Sequence, residues 1–339
     1  MENISKKFNK LLIIDGSFAL HRSLHVQSIF DMKNSKGDRT GGVFGFLKTL
    51  NSELKKNMDC YPVVCFDDGL AIRRVKADPY YKKANERDND DKVLTPEECD
   101  IDYVTQYRIQ RNKLIDILSY FGIPSLKFVG WEGDDLIYIL SKASEKSVVI
   151  TDDKDMLQLL SESCFVRRPM KEENWDVKSF VEAKGLSDIC DFIIFKSVLG
   201  DPSDNIPSCC RGIGEASIVE FIKLINCFKV SSTVWNFDNY PQTESDMKSF
   251  CLDRGIKYKK AYLNFDKQRF FINMELVDLN RVEVPDEIME SIVATISNCK
   301  GVANYFNAIK ILSELEIRDV DVSELMMRVS TRDKNILLG

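Results

Sequence analysis

Leu11-Leu12-Ile13-Ile14-Asp15 sets the reading of the fold: four apolar residues without alternation, closed by an aspartate. Such a run fits a strand buried on both faces, as in a parallel sheet covered by helices. The pattern recurs. Pro62-Val63-Val64-Cys65-Phe66 ends at Asp67, and Ser147-Val148-Val149-Ile150 is followed by Thr151-Asp152-Asp153. Residues 126–129 and 164–166 are weaker runs of the same kind. Between them, apolar side chains at helical spacing predict helices over residues 44–54, 103–120 and 134–142. In the second of these, Val104, Tyr107, Leu114, Ile115 and Leu118 form the expected apolar stripe. Strands alternating with helices predict an α/β fold with a doubly wound, mostly parallel sheet and helices on both faces.

From about Asp191 strand-like runs become rare and helical patterns take over. Residues 215–227 place Ile218, Val219, Phe221, Ile222 and Ile225 on one broad apolar face. The expected layout is a core over residues 1–190 that carries a basic segment at 70–102. A helical region over 191–280 and a tail of two or three helices over 281–339 complete it.

The chain has 339 residues, 44% hydrophobic and 29% charged, a balance that excludes a disordered chain, a collagen and a rod. No window approaches the roughly 20 apolar residues of a membrane span. Residues 1–10 lack an apolar signal core. The ten cysteines include no CxxC pair. Reduced thiols in a cytoplasmic protein are therefore expected, and a zinc site is not. The net charge of −6 alone points away from nucleic acid, so the placement of the charges matters more than their sum.

The three clearest strands end at Asp15, Asp67 and the Asp153 group, and strands of a parallel sheet run the same way. Their carboxylates can therefore share one rim, where open α/β sheets bind ligands. Further acids come in tight groups: Glu132-Gly133-Asp134-Asp135, Asp153-Lys154-Asp155 and Asp201-Pro202-Ser203-Asp204. Each group alone reads equally as a capped helix start. Together, nine carboxylates on one rim would repel one another unless cations lie between them. Hard divalent ions with oxygen ligands are the natural answer, Mg²⁺ keeping several waters. Two such ions about 4 Å apart can activate water and stabilise the leaving oxygen of a phosphodiester. His21 and His25 are the sole histidines, both in one early segment, and neither is expected to be a ligand. No GxxxxGK[ST] loop and no GxSxG elbow occurs.

Ala71 to Arg87 carries six cations and two acids, a local net of +4. Arg73, Arg74, Lys82, Lys83 and Arg87 can neutralise phosphates, and Tyr81 can stack on an unpaired base; a solvated charged loop is the alternative. Residues 88–102 reverse the sign, with seven acids and one lysine. Arg211-Gly212-Ile213-Gly214 opens the 215–227 helix. It reads either as a plain tight turn or as a hairpin whose backbone N–H groups and helix dipole face a phosphate.

These pieces, in this order, resemble the 5′ nucleases: bacteriophage 5′–3′ exonucleases and RNase H-type primer removers, the 5′-nuclease domain of bacterial DNA polymerase I, and flap endonucleases. The resemblance covers residues 11–227. It rests on Ile14-Asp15-Gly16-Ser17, Gly41-Gly42-Val43-Phe44-Gly45-Phe46, Val64-Cys65-Phe66-Asp67 and Glu132-Gly133-Asp134-Asp135. To these it adds Thr151-Asp152-Asp153-Lys154-Asp155-Met156-Leu157-Gln158 and Gly200-Asp201-Pro202-Ser203-Asp204-Asn205-Ile206-Pro207, running into Gly212-Ile213-Gly214.

The resemblance implies a PIN-like core followed by a helix–hairpin–helix region. It implies metal-ligand roles for Asp15, Asp67, Glu132, Asp134, Asp135, Asp153, Asp155, Asp201 and Asp204; Asp152 falls where the family often has a small residue. It implies an arch over the site in which Lys82 or Lys83, with Arg87, meets the scissile phosphate. The hairpin would hold duplex, sometimes with a K⁺ on carbonyls such as those of Cys209, Cys210 and Ile213. The implied activity is Mg²⁺-dependent removal of 5′ flaps or RNA primers, with Mn²⁺ able to substitute. The enzyme would be stand-alone, phage-like and monomeric, working in the host cytoplasm if phage-encoded, with a single-strand binding protein or sliding clamp as a possible partner. The rival readings are an inactive DNA-structure binder and a single-strand-specific ribonuclease with a related core.

Overall fold

The computed structural model describes residues 4–82, 102–231, 234–299 and 303–331. They fall into two compact units. Residues 4–71, 102–176 and 282–331 make the first, and residues 72–82 and 177–281 make the second. This partition differs from the expected one at three places. Residues 72–82 and the Val177–Lys184 helix belong with the second unit, and the tail helices belong with the first. The tail returns because the described part of 282–331 packs on early elements: Asn34 Nδ2 donates to the Glu314 carbonyl at 3.3 Å, and Asn51 Nδ2 to Glu324 Oε2 at 3.2 Å.

The first unit is built on a six-stranded sheet. Its strands are β1 (Phe8–Asp15), β2 (Tyr61–Cys65), β3 (Ser125–Leu126), β4 (Ser144–Ile150), β5 (Cys164–Arg168) and β6 (Glu173–Trp175). Their order across the sheet is β3-β2-β1-β4-β5-β6. All neighbours are parallel except β5 and β6. Leu11, Leu12, Ile13, Val63 and Val64 are wholly buried on consecutive positions, which requires cover on both faces of the sheet. The chain moves outward from β1 to β2 and β3, then crosses back to β4 on the other side. The β1–β4 boundary is thus the topological switch point, where carboxyl ends of strands leave a crevice.

Helices Gly16–His25, Gly41–Lys56, Tyr103–Tyr120 and Gly133–Ala143 surround the sheet. Gly16 lets the first of them start hard against β2. A Cβ there would lie 2.6 Å from Phe66 Cε1 and Val64 Cγ1, and 2.8 Å from the Cys65 carbonyl. The Tyr103–Tyr120 helix has the expected bounds but a different buried face. Val104 is 62% exposed, while Gln106, Gln110, Leu114, Ile117 and Leu118 point inward. Gln110 is tolerated there because its Oε1 accepts the Val43 N–H at 3.2 Å.

The second unit is mainly helical: Ile72–Ala77, Val177–Lys184, Cys190–Leu199, Glu215–Asn226, Glu244–Asp253 and Lys267–Val277. A small antiparallel pair, β7 (Lys229–Ser231) and β8 (Val234–Trp235), lies between them. Its core is aromatic, with Phe221, Phe237, Tyr240, Tyr262, Phe265 and Phe270 in mutual ring contact. The tail of the first unit contributes Asp286–Cys299, Tyr305–Glu314 and Val322–Ser330. No helix among the described residues is long and apolar enough to cross a membrane.

Candidate active site

In the first unit, register puts acids on one rim. Asp15 pairs with Cys65 across β1–β2, and Ile14 with Ile150 across β1–β4. Asp15, Asp67 and Asp153 therefore leave the carboxyl ends of three adjacent strands. Asp15 caps the Gly16–His25 helix: its Oδ1 accepts the Phe18 N–H at 2.9 Å, and its Oδ2 accepts the Thr151 hydroxyl at 2.8 Å. It is 5% exposed. Burial pushes its carboxyl up to about 7; the Phe18 bond opposes this, and the charges of Asp67 and Asp153 add to it.

Asp67 is held on three sides. Its N–H donates to Ser17 Oγ at 2.9 Å, its carbonyl accepts Arg111 Nη1 at 3.0 Å, and its Oδ1 accepts the Gly133 N–H at 2.5 Å. The last bond ties the start of the Gly133–Ala143 helix to β2. Glu132 and Asp135 are buried there, and Asp135 Oδ2 reaches back to the Glu132 N–H at 3.5 Å. Asp153 N–H donates to Thr151 Oγ1 at 3.0 Å, and Asp153 Oδ1 accepts the Asp155 N–H at 2.8 Å. Asp152 turns away from this set. It accepts the Met170 N–H at 3.1 Å and lies 3.7 Å from Arg22 Nη1.

Among the described residues, no three His, Cys, Asp or Glu side chains stand close enough together to grip one ion as they are placed. Asp15, Asp67 and Asp153 accept hydrogen bonds from hydroxyl and backbone donors. Their chemistry nevertheless fits a hard divalent cation. The donors are all oxygen, and a buried carboxyl lifted to about 7 beside two further acids is the environment that such a charge relieves.

The second unit holds Asp201 and Asp204. Asp201 Oδ1 accepts the Ser203 N–H at 3.0 Å, and its Oδ2 accepts Lys196 Nζ at 2.9 Å. Despite burial, the Ser203 and Lys196 bonds hold the Asp201 carboxyl below its usual range. Asp204 Oδ2 accepts the Tyr81 hydroxyl at 3.3 Å, and its Oδ1 lies 3.9 Å from Lys82 Nζ.

The basic segment is arranged differently from the sequence expectation. Tyr81 is 2% exposed and Arg74 is 4% exposed, with Arg74 Nη1 donating to the Tyr81 hydroxyl at 3.1 Å. Both are internal struts of the second unit, so Tyr81 presents no ring for a base to stack on. Tyr80, 70% exposed, presents one. Arg73 Nη1 donates to the Glu275 carbonyl at 2.8 Å. Lys82 adopts φ 56°, with its N–H on the Asp204 carbonyl at 3.0 Å. Lys83 and Arg87 lie outside the described residues.

At the hairpin, Gly212 takes φ +95°, a turn that a side chain would strain. Arg211, Gly212 and Gly214 are exposed, and Ile213 is buried. The N–H groups are less bare than expected: Ile213 donates to the Cys210 carbonyl at 3.1 Å and Gly214 to Ser217 Oγ at 3.3 Å. The Cys209 carbonyl accepts the Asp266 N–H at 2.7 Å. The exposed first turn, Glu215 and Ala216, carries the positive end of the helix dipole.

Residues 10–185 match the family model described as 5'-3' exonuclease, N-terminal resolvase-like domain. The chain belongs to the 5'-3' exonuclease family. The 5'-3' exonuclease of Aquifex aeolicus is 29% identical over 262 residues, covering 76% of this chain and 83% of that one. DNA polymerase I of Streptococcus pneumoniae is 26% identical over 329 residues, covering 93% of this chain and 34% of the polymerase. The solved structure of the T5 D15 protein co-crystallised with metal ions has a TM-score of 0.61 at 19% identity. It covers 94% of this chain and 100% of that one, which shows a shared fold.

For a member of the 5'-3' exonuclease family, four supporting residues escaped the sequence reading. Thr151, Ser17, Arg111 and Lys196 hold Asp15, Asp67 and Asp201 in place. Thr151 and Ser17 lie inside motifs already quoted, so adjacency could have flagged them. Arg111 and Lys196 are single cations on helices and carry no such signal.

Proposed function

We propose that the chain is a Mg²⁺-dependent, structure-specific 5′ nuclease that removes 5′ flaps or RNA primers from DNA. The observation that carries this reading is Asp15: a buried carboxyl at the β1–β4 switch point, lifted to about 7, with Asp67 and Asp153 charging the same rim. In the first unit, Asp15, Asp67, Glu132, Asp134, Asp135, Asp153 and Asp155 are the proposed ligands; in the second unit, taken by itself, Asp201 and Asp204 are proposed for the same chemistry. Divalent ions held there would supply charge neutralisation and activation of water for phosphodiester hydrolysis; Mg²⁺ is the expected metal, Mn²⁺ a substitute.

The chain's own groups do the rest. Thr151 and the Phe18 N–H orient the Asp15 carboxylate, and the Gly133 N–H orients that of Asp67. Lys82, beside Asp204, or Lys83 offers a cation to the scissile phosphate together with Arg87. Arg73, Arg211 and the exposed turn at Gly212 and Gly214 contact duplex phosphates, which position the substrate without reading sequence.

The test is cleavage of end-labelled 5′-flap and RNA-primed duplexes, with linear single-stranded RNA as a third substrate. Products that shorten from the 5′ end with Mg²⁺, and none with EDTA, are expected. Preference for single-stranded RNA would favour the ribonuclease reading. Asp153→Ala is expected to bind flap without cutting it; cutting equal to that of the parent would refute the ligand assignment.

A further inference from the structure

We propose that Tyr107, Arg111 and Ser17 form a positioning device for the Asp67 carboxylate, and that the Tyr103–Tyr120 helix carries it. The inference rests on the proposed ligand role of Asp67 and adds to it the residues through which that carboxylate is set. Tyr103, Tyr107 and Arg111 recur at intervals of four, so they share one face of the helix. That face is tied to the rim at successive points. The Tyr103 hydroxyl meets His21 Nδ1 at 2.6 Å and His25 Nδ1 at 3.0 Å. The Tyr107 ring lies flat on His21, with centroids 3.9 Å apart and planes 6° from parallel. The Tyr107 hydroxyl then donates to Ser17 Oγ at 3.1 Å, and the same oxygen accepts the Asp67 N–H at 2.9 Å. One turn on, Arg111 Nη1 takes the Asp67 carbonyl at 3.0 Å.

Both backbone polar groups of Asp67 are therefore held by side chains from helices, not by sheet partners. Ser17 stands two residues after Asp15, so the device also braces the ends of β1 and β2 against each other. With Gly133 gripping Oδ1, the Asp67 side chain has little freedom left. Supports of this kind around metal ligands typically change metal affinity by about 10–100-fold when removed. The Gly41–Lys56 helix, through Gln110 and Val43, fixes the same helix from its other side.

The test is calorimetric Mn²⁺ titration of the full chain, beside urea unfolding in EDTA. Tyr107→Phe keeps the ring stack and removes only the hydroxyl, and Arg111→Gln removes the cation donor. Both are expected to weaken Mn²⁺ uptake about tenfold with only a modest fall in the unfolding midpoint in EDTA, since each gives up a hydrogen bond that braces β1 and β2. Arg111→Lys recovers part of the loss. In an Asp67→Asn background neither change has a further effect, because both act through Asp67. Full Mn²⁺ affinity in Tyr107→Phe and Arg111→Gln, or losses that add to that of Asp67→Asn, overturns this inference alone. Full affinity in Asp67→Asn overturns the ligand reading beneath it.

Discussion

Asp15→Asn separates what the fold tolerates from what the site requires. The Asp15 carboxyl is 5% exposed, receives two hydrogen bonds, and is raised from 3.8 to about 7, chiefly by burial. A folded value above the unfolded one means that the folded state holds the proton more tightly. The stabilisation is therefore complete below about pH 4 and is lost as the pH climbs through about 7. A rise of 3.2, from 3.8 to about 7, corresponds to about 4 kcal/mol at pH 8, at about 1.36 kcal/mol per unit. Relaxation around a buried charge reduces this to about 2–3 kcal/mol. Asparagine carries no charge at any pH. Its oxygen can keep the Phe18 N–H, and its amide can donate to the Thr151 hydroxyl. In EDTA, Asp15→Asn should be more stable than the parent by about 2 kcal/mol at pH 8, with the gap closing toward pH 4. Urea unfolding across that range measures it. The variant should also lose cleavage. A variant less stable than the parent at pH 8, or a gap that does not vary with pH, would refute the reasoning.

Three further predictions concern other parts of the chain. Burial lowers the His21 imidazole from 6.5 to about 4, so its contribution is present above pH 6.5 and is lost as the pH falls toward 4. His21→Asn should remove about 1–2 kcal/mol of the acid-side slope in urea unfolding, a figure reduced for the ring's partial exposure. Gly16→Ala places a Cβ 2.6 Å from two side chains of β2 and its flank. It should cost about 1–3 kcal/mol of stability and raise the Mn²⁺ midpoint, since Asp15 must shift with it; an unchanged midpoint would count against the tight coupling of Asp15 to β2. Arg211→Ala should weaken duplex binding evenly across sequences and lower the salt slope by about one, measured by fluorescence anisotropy from low to high salt.

Burial of local runs was legible because it is written in consecutive residues. Leu11–Ile14 and its two companions read as doubly buried strands, and the Tyr103–Tyr120 and Gly133–Ala143 helices lie where apolar spacing puts them, although the first buries a different face. The acids at strand ends were legible for the same reason, since parallel strands must all end on one edge. What periodicity missed is what distant partners decide. Gln106 and Gln110 displace Val104 from the buried face because Gln110 finds an N–H at Val43. Of two adjacent tyrosines, Tyr81 is drawn inside by Arg74 and Asp204 while Tyr80 is left out. The basic segment's first residues and the tail changed units for similar reasons, through contacts made far along the chain.

The sequence by itself determined the central strands β1, β2 and β4, the approximate spans of the main helices and which carboxylates stand at strand termini, because each depends on neighbours within a few positions. Only the tertiary structure decided that β1 and β4 lie side by side, that Asp15 is buried enough to reach about 7, and that Ser17, Arg111 and Thr151 hold the acids still. Those outcomes depend on register and on groups up to 136 residues apart, and solvation and charge at a point in space leave no periodic mark on the chain.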